Sequence, residues 1–134
     1  MISVDVDPAA NQVRSHARIE FLIGDSGAPE IARRVAASLP AERGTLFMIL
    51  DADHGKAHVL RELAAWLPVL RRGDYLVVED GCINGHPLRP DFGPGPYEAI
   101  EEFCAANPAA FERDVARERK FGFTFAPRGY LVKT

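Results

Sequence analysis

Two apolar runs in this chain end abruptly in acid. The first, Leu46-Phe47-Met48-Ile49-Leu50, stops at Asp51-Ala52-Asp53-His54, and the second, Tyr75-Leu76-Val77-Val78, stops at Glu79-Asp80. Two earlier apolar stretches finish the same way, at Asp5 and Asp7 and at Asp25-Ser26. Strands in one sheet lie ~4.8 Å apart, so side chains at neighbouring strand ends can converge. Clustered carboxylates repel one another unless a proton or a cation sits between them. A hard divalent ion answers that need, and Mg²⁺ asks only for a few carboxylates, water and substrate oxygen. Asp51, Glu79 and Asp80 are the ligand candidates, with Asp53 as a fourth ligand or a neighbour just outside the ion's direct contacts. Asp5 and Asp25 sit where an acid accepts hydrogen bonds from ribose hydroxyls or an adenine amino group in nucleotide-binding sheets. The plainer alternative for each lone Asp is a turn residue or a helix cap, and Asp53 could cap the helix that begins near Lys56.

The histidines carry less. His54 and His58 are four apart, as in zinc-protease helices, but the residue after His54 is Gly55 and not the glutamate that chemistry needs. His54 is therefore expected at the mouth of the acidic site and His58 on the ordinary surface. His86 follows the second acidic strand end and could be a base, a substrate contact or a plain loop residue. Gly93-Pro94-Gly95-Pro96 is no phosphate cradle, because proline removes the backbone donors such a loop requires.

The elements that would position these groups alternate between strand and helix. Residues 2–7, 19–23, 45–50 and 75–78 read as strands. The third is apolar at five consecutive positions, which predicts burial on both faces. Residues 11–18 are polar and fit a short helix or a loop. A helix from Pro29 shows Ile31, Val35 and Leu39 on one face; a second over 56–70 shows Val59, Leu63, Trp66, Leu67 and Leu70. Residues 81–96 form a loop rich in glycine and proline, and a loop of that length is more often functional than idle. Residues 97–105 and 109–120 read as helix. Residues 121–125 and 129–132 read as a hairpin. The pattern predicts an α/β fold, mostly parallel with an antiparallel C-terminal hairpin.

Bulk properties narrow the function. The chain has 134 residues, which suits one domain, 1–134. A net charge of -3 gives no reason to expect nucleic acid or a membrane surface as the main partner. No apolar run reaches the ~20 residues of a membrane span, and the first residues do not have the form of a signal peptide. Two cysteines, Cys82 and Cys104, make no disulfide framework and fit reduced thiols in the cytoplasm.

Longer motifs carry a resemblance. Ile49-Leu50-Asp51-Ala52-Asp53-His54-Gly55-Lys56, Gly73-Asp74-Tyr75-Leu76-Val77-Val78-Glu79-Asp80, Asn84-Gly85-His86-Pro87, Asp91-Phe92-Gly93-Pro94-Gly95-Pro96-Tyr97-Glu98-Ala99 and Pro127-Arg128-Gly129-Tyr130-Leu131 resemble the cephalosporin hydroxylase and rhamnosyl O-methyltransferase family. Ser3-Val4-Asp5-Val6-Asp7 and Gly24-Asp25-Ser26 look like earlier strands of the same fold. The resemblance implies a Rossmann-like class I methyltransferase sheet that binds S-adenosylmethionine, with Mg²⁺ held by strand-end acids. Carried over by position, Asp5 would meet the cofactor ribose, and Asp25 and Ser26 would lie by the adenine. Asp51 or Asp53, with Glu79 and Asp80, would hold the metal, and Asp53 stands also as a cofactor contact. His54 and His86 are the catalytic candidates, and the loop from Gly81 would face a small-molecule hydroxyl, on a sugar or a secondary metabolite.

In that family a first strand with a glycine-rich turn precedes the counterpart of residues 2–7. It lies between that strand and the counterpart of 45–50. The sequence as given is expected to be the C-terminal part of such a fold. The two strands should then pair directly, be bridged by another chain or a second copy, or leave backbone groups unpaired at ~1–3 kcal/mol each. Two other readings follow: a non-catalytic remnant or subunit that needs a partner, and a non-haem iron hydroxylase built on His54, His86 and Glu79, two histidines and a carboxylate.

Overall fold

The computed structural model describes residues 1–9 and 16–134, so the expectation for 11–18 falls largely outside the described residues. Strand β1 (Ile2–Asp5) pairs in parallel with β2 (Glu20–Ile23), Ile2 opposite Glu20 and Asp5 opposite Ile23. Helix α1 (Pro29–Ser38) follows, opened by Pro29 and with Glu30 in its first turn. Proline's missing N–H is no loss there, and the acid complements the helix dipole. Strand β3 (Phe47–Leu50) leads through α2 (Lys56–Trp66) to β4 (Tyr75–Val78), which pairs with β3 in parallel. The long loop then enters α3 (Pro96–Ala106), where Glu98 reaches back so that its Oε2 accepts from the Gly95 N–H at 2.7 Å. Strand β5 (Phe111–Arg113), short α4 (Val115–Arg119) and β6 (Tyr130–Lys133) complete the chain.

β6 runs antiparallel to both β4 and β5, which gives the order β3-β4-β6-β5. An antiparallel C-terminal pair is thus present, but its outer strand is β5 and not 121–125. Gly122 sits at φ 75°, and Phe121, Phe123 and Phe125 stay exposed without a ladder. The helix expected over 109–120 shrinks accordingly to α4.

One core joins everything. Leu22 of β2, Ile31 and Val35 of α1, Leu50 of β3, Leu63 and Trp66 of α2, Ile100 of α3 and Leu131 of β6 belong to a single buried cluster, against which Ile2, Val4 and Met48 pack. The two sheets nevertheless remain separate. Among the described residues no ladder joins β1 to β3, so the two strands do not pair directly. A cavity of about 1420 Å³ lies between them.

β3 is where burial departs from expectation. Met48 and Leu50 turn to the core, while Phe47 and Ile49, on the opposite face of the pleat, are 60% and 52% exposed. The five-residue apolar run therefore is not buried on both faces, because among the described residues nothing covers the second one. At the other end of the sheet the packing is tight. A Cβ on Gly129 would collide with the Val78 carbonyl oxygen, and the Val78 N–H donates to the Gly129 carbonyl at 2.9 Å.

Candidate metal and cofactor site

Parallel pairing of β3 with β4 delivers the two acidic strand ends to one rim. The Glu79 N–H donates to the Leu50 carbonyl at 2.9 Å, which fixes the register of the two ends. Asp80 then adopts φ 54°, a left-handed conformation that is uncommon for a residue with a side chain. It turns the carboxylate toward its neighbours. Asp51, His54 and Asp80 each present a ligand atom within 4.8 Å of one another, and His54 Nε2 lies 3.2 Å from Asp80 Oδ2. Asp51 is exposed and the other two are about a third open to solvent, so a guest can reach them.

Glu79 is not in that trio. Burial pushes its carboxyl pKa up, and the charges of Asp51 and Asp80 push it further in the same direction. It is thus an acid whose charge is costly until something positive arrives. The donor set fits a divalent cation: the oxygens suit Mg²⁺, and His54 adds a nitrogen that Mg²⁺ takes less readily.

The remaining candidates fall into two places. Asp5, Asp25, Ser26 and Asp53 all line the large cavity, as Asp51 does. Asp25 Oδ1 accepts from the Gly27 N–H at 2.8 Å, and this bond, followed by the charges of His58 and Arg61, holds its pKa below the ordinary range against the opposing pull of burial. Asp5 Oδ1 accepts from the Asp7 N–H at 2.8 Å. Asp53 Oδ1 accepts from the Gly55 N–H at 2.7 Å, a turn just ahead of α2, whose N-cap is Gly55.

His86 lies elsewhere. It lines a cavity of about 250 Å³ with Pro87, Glu118, Phe123 and Pro127. Its Nε2 is 2.9 Å from Glu98 Oε1, and its ring stacks on Tyr97 at 3.7 Å between centroids. Burial would raise the Glu98 pKa, but donation from Gly95, His86 and Asn84 outweighs it and holds the group at about 2. The structure therefore gathers one histidine, His54, with the strand-end acids.

Two residues were misjudged or missed from sequence. His58 is not an ordinary surface residue: its side chain is 14% exposed, 3.3 Å from Ser26 Oγ and 2.9 Å from Arg61 Nη2. Glu62 is 1% exposed and accepts from Ser26 Oγ at 2.6 Å. The available signal was position: Glu62 falls between Val59 and Trp66 on the apolar stripe of α2, where an acid has to be partnered.

Two parallel strand pairs, an antiparallel C-terminal pair and acids converging at strand ends beside an open cleft make a Rossmann-like α/β fold of the class I methyltransferase type. Solved structures agree with it. The MycE methyltransferase of the mycinamycin biosynthetic pathway, in complex with Mg, SAH and mycinamycin VI, is 25% identical with a TM-score of 0.55, over 81% of this chain and 29% of that one. A second crystal form of MycE, with Mg and SAH, gives a TM-score of 0.57 at 20% identity over 98% of this chain and 36% of that one. The profile of the Rhamnosyl O-methyltransferase/CmcI family matches residues 1–134, and the chain belongs to that family. The rhamnosyl O-methyltransferase of Mycobacterium leprae (strain TN) is 49% identical over 129 residues, 96% of this chain and 55% of the relative. Its counterpart in Mycobacterium bovis (strain BCG / Pasteur 1173P2) is 45% identical over 128 residues, 96% and 51%. The chain thus spans about half the length of the curated relatives it matches.

Proposed function

We propose that residues 1–134 form a single, partial domain that binds Mg²⁺ and S-adenosylmethionine in an O-methyltransferase acting on a hydroxyl of a sugar or other small molecule. The observation that carries this reading is the convergence of Asp51, His54 and Asp80 at the ends of adjacent parallel strands, beside a cavity large enough for a nucleoside. Asp51 and Asp80 would hold the ion, with Glu79 adding charge beside them. Asp5, Asp25, Ser26 and Asp53 would line the cofactor. A bound Mg²⁺ supplies the charge that lowers the pKa of an acceptor hydroxyl, and the cofactor supplies the methyl group. This chain's part is to place the two against each other, since in-line approach accounts for much of such a barrier. His54 stands at the rim to take the hydroxyl proton, and His86, held by Glu98, would present the glycine-rich loop to the acceptor. No helix among the described residues is long and apolar enough to cross a membrane. The two free thiols, Cys82 and Cys104, fit a cytoplasmic setting.

Calorimetry with S-adenosylmethionine, with and without Mg²⁺, tests the proposal. Binding strengthened by the ion is expected; heat of dilution alone in both titrations would reject it.

A second reading is favoured by one observation, the unpaired facing edges of β1 and β3. On that reading the chain acts only when another polypeptide, or a second copy, completes the sheet. Size-exclusion chromatography separates the two: a monomer that binds cofactor speaks against it.

A further inference from the structure

Three of the chain's eight phenylalanines stand in water on one short segment: Phe121 is 83% exposed, Phe123 48% and Phe125 56%. Large apolar side chains gathered on a surface mark an interaction site. The backbone beneath them is held in place. The Cys82 N–H donates to the Phe125 carbonyl at 3.1 Å, the Ala126 N–H donates to Thr124 Oγ1 at 3.1 Å, and Thr124 Oγ1 and the Tyr130 hydroxyl share a hydrogen bond at 2.9 Å. Phe123 and Phe125 meet edge to face, 5.2 Å between centroids, and so form one apolar surface.

Charge indicates what covers it. Residues 113–128 hold five basic side chains and two acids, in a chain whose net charge is -3. Both acids are already engaged. Glu118 Oε2 accepts from Arg113 Nη2 at 2.9 Å, and Asp114 accepts from the Arg117 N–H and the Tyr75 hydroxyl, both at 2.9 Å. Arg117, Arg119 and Lys120 are exposed. Lys120 Nζ lies over the Phe121 ring at 5.2 Å, and Arg119 lines the same small cavity as Phe123. The cations thus stand among the rings and not on a separate face. That mixture suits the headgroup layer of a membrane, where rings enter the acyl boundary while ammonium and guanidinium groups stay with lipid phosphates. A protein pocket closing over the rings would have to desolvate those charges. The whole-chain charge hides this face, because it averages the segment with an acidic remainder.

We propose that residues 117–125 form a peripheral docking surface for an anionic lipid bilayer, with Phe121, Phe123 and Phe125 entering the interface and Arg117, Arg119 and Lys120 meeting the headgroups. The chain lies on the bilayer there and does not span it. Cys82, which holds Phe125, is two residues from Asp80, so docking brings the rim of the candidate site close to the lipid surface. The inference stands independently of the metal and cofactor reading.

Cosedimentation of the chain with phosphatidylcholine vesicles, with and without phosphatidylglycerol, tests it, in EDTA so that no divalent ion bridges protein acids to lipid. Each cation close to an anionic surface is worth about fivefold in affinity, so three predict binding roughly a hundredfold tighter with phosphatidylglycerol present. Arg117→Gln, Arg119→Gln and Lys120→Gln in one variant should abolish that difference. Phe121→Ser should weaken binding about tenfold at unchanged charge. Phe121→Trp adds a spectroscopic signature: its emission should shift to the blue on anionic vesicles and be quenched by brominated acyl chains, against a constant background from Trp66, which is 4% exposed. No binding, equal binding of both vesicle types, or Phe121→Ser binding as tightly as the unaltered chain overturns the proposal. So does a self-associated chain that Phe121→Ser makes monomeric, because a second copy then covers the patch. None of these outcomes bears on binding of Mg²⁺ or S-adenosylmethionine, which calorimetry reads separately.

Discussion

Asp74 should be the costliest single acid to neutralise. Its side chain is 3% exposed and faces Arg43, itself 8% exposed. Oδ1 accepts from Arg43 Nη1 and from the Leu46 N–H, both at 2.8 Å. Oδ2 accepts from Arg43 Nη2 at 2.6 Å and from the Arg71 N–H at 2.7 Å. One carboxylate thereby ties the segment before β3 to the turn after α2. Burial works against its ionisation, but these four bonds outweigh it and bring the pKa from an ordinary 3.8 to about 2. At ~1.4 kcal/mol per unit, the difference corresponds to roughly 2.5 kcal/mol of pH-linked stability. The folded state binds the proton less readily than the unfolded one. The contribution is therefore complete above about pH 4 and is lost as the pH falls through 2. Asp74→Asn removes the charge and strands Arg43, at a cost of ~3–5 kcal/mol against a typical total of ~5–15. Urea unfolding at pH 7 measures that loss, and repeating it at pH 5, 4, 3 and 2 should show a flatter acid limb in the variant. A loss under about 1 kcal/mol, or parallel acid limbs, would refute the reasoning.

The packing makes further predictions. Gly129→Ala should destabilise by ~1–3 kcal/mol, because the new Cβ meets the Val78 carbonyl oxygen and the β4–β6 approach has to open; thermal unfolding reads it. Leu63→Ala, at a site 1% exposed, should cost ~2–5 kcal/mol in the same measurement. Ile49→Thr, though in an apolar strand, should stay within ~0.5 kcal/mol, since its side chain is already half open to solvent.

The strand-end acids were legible because a strand that stops in acid announces both an element and its exit. β4 came out with the expected bounds, and α1 and α3 within a residue or so, because Pro29, Pro96 and the apolar stripes punctuate them. The α2 stripe was legible too, but its end was set four residues too far, at 70, because Leu67 and Leu70 continue the pattern past Trp66. β5 was missed because Phe111-Glu112-Arg113 is short and flanked by helix formers. The alternating aromatics of 121–125 mimic a strand that Gly122 prevents. Phe47 and Ile49 show the limit of composition: an apolar run states that two faces prefer burial, and whether both are covered depends on what packs there. The pairing of His58 with Glu62 was hidden for a related reason. A histidine and a glutamate four apart on a helix look like a solvated pair until tertiary packing closes over them.

The proposed function turns on whether Asp51 and Asp80, with His54 beside them, hold a divalent ion. Mn²⁺, added as a paramagnetic stand-in for Mg²⁺ while backbone amide signals are followed by NMR, tests it most directly. The signals of these three residues and of Glu79 should broaden first, be restored by excess Mg²⁺, and lose the effect in Asp80→Asn. Broadening that begins at acids remote from the β3 and β4 ends, or that Asp80→Asn leaves untouched, would contradict it.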